Sequence, residues 1–209
     1  PQHSKSEDIN KYSLQQDRRI IGILPGSRIN EIKRMLPVML SAAEKLLEYH
    51  SGIQFVLPQA DSIADDLLQS YLETSTVKVT IVKNQPYDVI QCCDAIMTTS
   101  GTVSLEIALL QIPMVIAYKL SSITYFFAKF LVNTKFIGLP NIIAGKRIVK
   151  ELIQSEVTAD ELVEEINKML NNNNYREQML AELALVKEKL GQGGGSKNMA
   201  DLALKMLQK

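Results

Sequence analysis

Residues 25–28, Pro-Gly-Ser-Arg, close the apolar run Ile20–Leu24 and open a helical pattern. Each contributes to anion chemistry. Gly26 lets the backbone approach an oxyanion closely, because it has no Cβ. Ser27 adds a hydroxyl, and the following helix offers unpaired N–H groups at its positive end. Arg28 adds a planar fork suited to phosphate oxygens. The plain alternative is a turn whose arginine pairs with Glu31 on the surface. Neither GxxxxGK[ST] nor GxGxxG occurs.

The same chemistry recurs in TTSGTVSLEIALL, 98–110. Ser100, Gly101 and Thr102 bring hydroxyls and a glycine to another strand-to-helix junction. Glu106 lies one helical turn on, in an otherwise apolar helix, where a carboxylate can accept two hydrogen bonds from a ribose diol. Its alternatives are a solvated helix position or a pair with Lys119. Two phosphate-type loops and a diol acceptor together point to a nucleotide diphosphate. A third stretch, FIGLPNIIAGKR at 136–147, could turn the Asn141 amide into the same cleft, and Lys146 and Arg147 could face phosphate or lipid. Read plainly, it is a surface loop with a turn asparagine.

The only histidines, His3 and His50, fall in the polar amino-terminal stretch and at a helix end. No cluster has metal-ligand spacing and no GxSxG elbow appears. These residues predict nucleotide binding without an evident general base, metal or cofactor.

The elements that must hold these loops follow from hydrophobic periodicity. Strands are predicted at 19–24, 53–57, 77–82, 94–98 and 113–118. Helices are predicted at 29–50, with Pro37 kinking or splitting it, and at 61–73, 87–93, 101–111, 121–132, 147–154, 158–171, 175–190 and 197–208. Ile- and Val-rich strands separated by helices imply an α/β fold, a parallel Rossmann-like sheet covered on both faces, with further helices at the carboxyl end. Ligands of such sheets lie beyond the carboxyl ends of the strands, where the loops at 25–28, 83–86 and 99–102 fall.

The chain's 209 residues can bury a real core, and its 23 basic and 23 acidic residues leave no net charge. That balance argues against a nucleic-acid partner held by a basic field. Cys92 and Cys93, the only cysteines, are adjacent and apolar in context, so a disulfide framework is excluded and core positions are expected. Residues 1–18 read as a linker or tail and 19–209 as the binding domain.

The long ordered segments LPGSR with EIKRMLP, DAIMTTSGTVSLEIALLQIPMVIAYK, TYFFAKFLV and GLPNIIAGKRIVKELIQ give the resemblance. From about Ile20 onward the chain resembles the carboxyl-terminal half of the lipid-A-disaccharide synthases, inverting GT-B glycosyltransferases. The resemblance implies transfer of 2,3-diacylglucosamine from its UDP donor to 2,3-diacylglucosamine 1-phosphate, forming a β-1,6 disaccharide and releasing UDP. By the same carry-over, Gly26, Ser27 and Arg28 hold the diphosphate, Ser100, Gly101 and Thr102 extend that cradle, and Glu106 grips the ribose. Val82 and Lys83 would read the uracil edge, largely through backbone. Asn141 would contact the transferred sugar or its phosphate.

The resemblance further implies that the catalytic base belongs to an amino-terminal acceptor domain absent here, so this chain alone should be inactive. It places the enzyme on the cytoplasmic face of the inner membrane of a Gram-negative bacterium, and a homodimer stays open. The apolar 121–132 stretch, with Lys129 and Lys135, could touch that membrane or the missing domain equally. A UDP-N-acetylglucosamine 2-epimerase-like enzyme and a non-catalytic nucleotide-binding domain are the competing readings.

Overall fold

The computed structural model describes residues 5–83, 86–120 and 135–191. Helix α1 (Lys5–Lys11) precedes β1 (Arg19–Leu24), α2 (Ile29–Tyr49), β2 (Ile53–Gln59), α3 (Asp65–Leu72) and β3 (Val79–Lys83). Then follow α4 (Pro86–Cys92), β4 (Ala95–Thr99), α5 (Thr102–Leu109), β5 (Met114–Tyr118), α6 (Leu139–Ala144), β6 (Glu151–Ile153), α7 (Ala159–Asn171) and α8 (Asn173–Leu190). The strands form one six-stranded parallel sheet in the order β3-β2-β1-β4-β5-β6.

Strands β1 and β4 are buried on nearly every residue because helices cover both sheet faces. Right-handed crossovers put α2 and α3 on one face and α4 and α5 on the other. Helix α2 turns Ile32, Met35, Leu36, Met39 and Leu46 into the core, and α7 packs alongside it. The chain runs from β1 towards one sheet edge and later from β4 towards the other. The crevice between β1 and β4 is therefore the topological switch point, where such sheets take their ligands.

Four expectations need correction. The 147–154 stretch is not a helix: Glu151–Ile153 form β6, paired with Ile116–Tyr118. Residues 1–18 are not merely a tail, since they contain α1, whose Ile9 is buried with Leu14 against the core. Pro37 does not split α2, which runs unbroken from Ile29 to Tyr49. Pro37 is exposed, and the carbonyl it leaves unpaired belongs to exposed Lys33, where water can satisfy it. Val82 and Lys83 do not lie in a loop, because they are the last residues of β3.

The Asn171–Asn174 break is real: Asn172 Oδ1 caps α8 by accepting from Tyr175 N at 3.0 Å. The helices expected at 121–132 and 197–208 lie outside the described residues. Among the described residues, no helix is long and apolar enough to cross a membrane. Cys92 and Cys93 are buried, and burial lifts the Cys92 thiol to about 11 and that of Cys93 well above its ordinary value.

Candidate functional site

Register alignment of Leu24 with Thr98 sets the loops after β1 and β4 side by side. They border a cleft of about 550 Å³ lined by Gly26, Ser27, Arg28, Gly101, Thr102 and Glu106, among others. Ser100 lines it too. Seven of the ten residues singled out in the sequence thus meet in one place.

The β1 loop is shaped by Glu31, in the first turn of α2. Its Oε2 accepts from Ser27 N at 3.0 Å and Arg28 N at 3.3 Å, and its Oε1 accepts from Arg28 Nη1 at 3.1 Å. Gly26 has φ of +109°, and a Cβ there would lie 2.4 Å from Glu31 Oε2. Glycine is needed for both the conformation and the close approach. Ser62 Oγ, from the loop after β2, donates to Ser27 O at 2.6 Å and ties the two loops together. The Arg28 side chain stays 81% exposed, so its ion pair with Glu31 is the exposed kind that contributes little. The surface pair foreseen as an alternative is therefore present, yet it leaves the guanidinium at the mouth of the cleft.

Across the cleft, Ser100 Oγ donates to Ile137 O at 2.8 Å and Ser104 Oγ to Gly101 O at 2.7 Å. The Ser100 hydroxyl thus braces the 135–138 segment and keeps only acceptor capacity for another partner. Thr102 begins α5 and is exposed. Glu106 accepts from Tyr87 Oη at 3.0 Å, and this hydrogen bond, with the nearby charge, raises the Tyr87 phenol above its ordinary range. Neither the Lys119 pair nor a merely solvated position describes Glu106.

Asn141 departs most from expectation. It is fully buried, at 0% exposure. Its Oδ1 accepts from Ile148 N at 2.7 Å and Val149 N at 3.0 Å. Its Nδ2 donates to Val149 O at 2.9 Å and Glu151 Oε1 at 2.7 Å. All four of its hydrogen-bonding positions are filled, so the amide does not point into the cleft. Glu151, also buried, accepts from Ile137 N at 3.0 Å and Gly138 N at 2.9 Å. A Cβ on Gly138 would meet Ile116 Cδ1 at 2.4 Å, so a larger residue there would have to displace the buried Ile116 side chain.

Val82 is buried and does not line the cleft; Lys83 pairs with Asp65 at 2.5 Å. Lys146 pairs with Glu182 at 2.6 Å, away from the phosphate-type loops. Sequence reasoning missed Tyr87, Ser62 and the bracing roles of Glu31 and Glu151. Only Glu31 had a sequence signal, its place three residues after the helix-capping position.

The sequence model of the family described as lipid-A-disaccharide synthetase matches residues 1–206. The chain belongs to this family. Membership is consistent with a 46% identity to the lipid-A-disaccharide synthase of Geobacter sulfurreducens, covering 100% of this chain and 54% of that protein. The synthase of Coxiella burnetii is 33% identical, over 96% of this chain and 52% of that one. The chain spans about half the length of the curated relatives it matches.

Among solved structures, the Staphylococcus aureus MnaA–UDP structure superposes with a TM-score of 0.68 at 13% identity, over 98% of this chain and 50% of the other. The Escherichia coli ADP-heptose heptosyltransferase II gives 0.60 at 20% identity, over 83% and 54%. At these identities the likeness is one of fold alone, a Rossmann-like α/β domain of the GT-B kind.

Proposed function

We propose that this chain is the UDP-donor half of a lipid-A-disaccharide synthase. The observation that carries the reading is the convergence of the β1 and β4 loops with Glu106 on one cleft at the switch point. The complete enzyme transfers 2,3-diacylglucosamine from UDP to 2,3-diacylglucosamine 1-phosphate. Arg28 swings from Glu31 to the diphosphate and stabilises the charge that grows on departing UDP. Backbone N–H groups of the Gly101–Thr102 turn support the other side, and Glu106 accepts from the ribose hydroxyls.

Inversion at the anomeric carbon needs a base on the acceptor hydroxyl. We assign that base to the amino-terminal domain of the whole enzyme, in keeping with the greater length of the relatives. Asn141 serves this site indirectly, by bracing the Ile137 segment on which Ser100 leans. Residues 19–209 form the donor domain, α1 packs onto it, and the whole enzyme works at the cytoplasmic membrane surface, where acylated substrates reside.

Calorimetric titration of the chain with UDP and uridine, followed by a transfer assay with and without the amino-terminal half, tests the reading. The expected result is UDP binding by the chain alone and disaccharide formation only with both halves. Robust transfer by this chain alone would overturn the division of labour. Release of 2-epimerised sugar from UDP-N-acetylglucosamine would favour the epimerase reading.

A further inference from the structure

A second cavity of about 480 Å³ adjoins the nucleotide cleft and shares Ser27, Arg28 and Glu31 with it. It extends to Arg34 and Lys119, neither of which lines the first cleft. Three cations therefore face one acid. Glu31 cannot neutralise them, because Oε1 holds Arg28 Nη1 and Oε2 holds the Ser27 and Arg28 N–H groups. Arg34 and Lys119 make no ion pair among the described residues.

The two cations come from separate elements. Arg34 stands three residues beyond Glu31 on α2, so the two share a side of the helix just past the Arg28 cap. Lys119 directly follows β5, at the same carboxyl edge of the sheet as the nucleotide loops. Glu31 closes the Ser27 and Arg28 N–H groups ahead of α2, so the loop backbone there is occupied and the charge in this cavity comes from side chains. Cations fixed on two elements around an open bowl match a compact dianion, such as a phosphate monoester near neutral pH.

We propose that this cavity binds a phosphate monoester, that of the acceptor sugar. Naming the acceptor rests on the donor-half reading above; the anion site itself does not. Glu106, at the ribose end, lines only the first cleft, whereas Arg28 lies on the border of both. In an inverting displacement the acceptor hydroxyl attacks the sugar carbon from the face opposite the diphosphate, and the acceptor's phosphate, a sugar ring away from that hydroxyl, falls within reach of a cavity bordering Arg28. A cavity there with two further cations holds the acceptor's phosphate while its hydroxyl reaches the reacting carbon.

The test titrates the chain with glucosamine 1-phosphate, with and without saturating UDP, against inorganic phosphate and glucosamine as controls. Glucosamine 1-phosphate is expected to bind the UDP-saturated chain. Arg34→Gln and Lys119→Gln should each weaken it about threefold to tenfold, the lower part of the range for a charge-assisted contact because the site is solvated. UDP affinity should change less than twofold in both variants, which also reports that they fold. Competition between the two ligands, or unchanged affinity in both variants, would overturn the site. Inorganic phosphate binding as tightly as the sugar phosphate would overturn the acceptor assignment. A chain that ignores UDP but binds glucosamine 1-phosphate through Arg34 and Lys119 would sink the donor reading and keep the anion site.

Discussion

The PGSR loop and the GLPN segment are both short, glycine-bearing and proline-bearing, and each ends in a polar side chain, yet they sit at opposite ends of one scale. Arg28 is 81% exposed and held by a single side-chain partner. Asn141 is fully buried with four hydrogen bonds, one of them to buried Glu151. The first has capacity to give a ligand and the second has none left. Residue type alone does not separate a ligand contact from a brace; the count of filled donor and acceptor positions does.

The largest effect that could break this contrast comes from Asn141→Ala. It strips partners from Ile148 N, Val149 N, Val149 O and a Glu151 oxygen in a buried setting. A loss of roughly 2–4 kcal/mol in unfolding free energy by urea denaturation is expected. UDP affinity of the folded fraction should hold to within a few-fold. Unchanged stability with lost UDP binding would return Asn141 to the ligand site.

Arg28→Ala should do the reverse. Loss of one charge-assisted, bidentate-capable contact to the diphosphate costs about 1.5–3 kcal/mol, a tenfold to hundredfold drop in UDP affinity. Arg28→Lys should recover part of it, keeping the charge without the fork. Uridine should bind all forms alike, and urea midpoints should scarcely move, because the Glu31 pair is solvent-exposed. Equal UDP affinity in wild type and Arg28→Ala refutes the clamp.

A smaller effect should follow from Glu106→Gln, which keeps an acceptor but gives up the charge on the ribose. A loss of about threefold to tenfold for UDP is expected from weakening one charged hydrogen bond, and 2′-deoxy-UDP should show a smaller difference between the two forms. Identical losses for both ligands would separate Glu106 from the ribose 2′-hydroxyl.

The smallest effect concerns pH. Thr76 N–H, then Ser75 Oγ, donate to Glu44 and hold its carboxyl below the ordinary value of 4.5. A depressed folded value adds stability above the unfolded value, and that increment vanishes as pH falls through the folded one. Urea midpoints measured from pH 6 down to pH 3 should therefore decline less steeply in Glu44→Gln than in wild type. Parallel acid limbs would show that Glu44 contributes nothing to the pH response.

Five of the six strands were legible from short apolar runs between turn signals, buried on nearly every residue in β1, β4 and β5 and only partly in the edge strand β3. β6 was not, since Glu-Leu-Ile is only three residues long and its glutamate is buried as a hydrogen-bond acceptor. α1 escaped because its apolar residues are few and it buries Asp8 beside Ile9. The Arg28, Ser100 and Glu106 neighbourhood was readable from loop chemistry at strand ends. The partners of Glu106 and Asn141 were not, because Tyr87 lies 19 residues away and Glu151 lies 10 residues away, distances that no local pattern spans.

Glu31 gives the proposed nucleotide cleft a threshold. Its carboxylate is tethered a few bonds from the Ser27 and Arg28 N–H groups, at an effective concentration that chloride or stray carboxylates in the surrounding fluid do not reach. A small anion making one contact exchanges like for like and gains nothing. A ligand that simultaneously engages Arg28, the facing turn and the Glu106 carboxylate wins by linking its contacts. On the proposed reading, the cradle therefore disfavours simple salts and favours molecules long enough to span it.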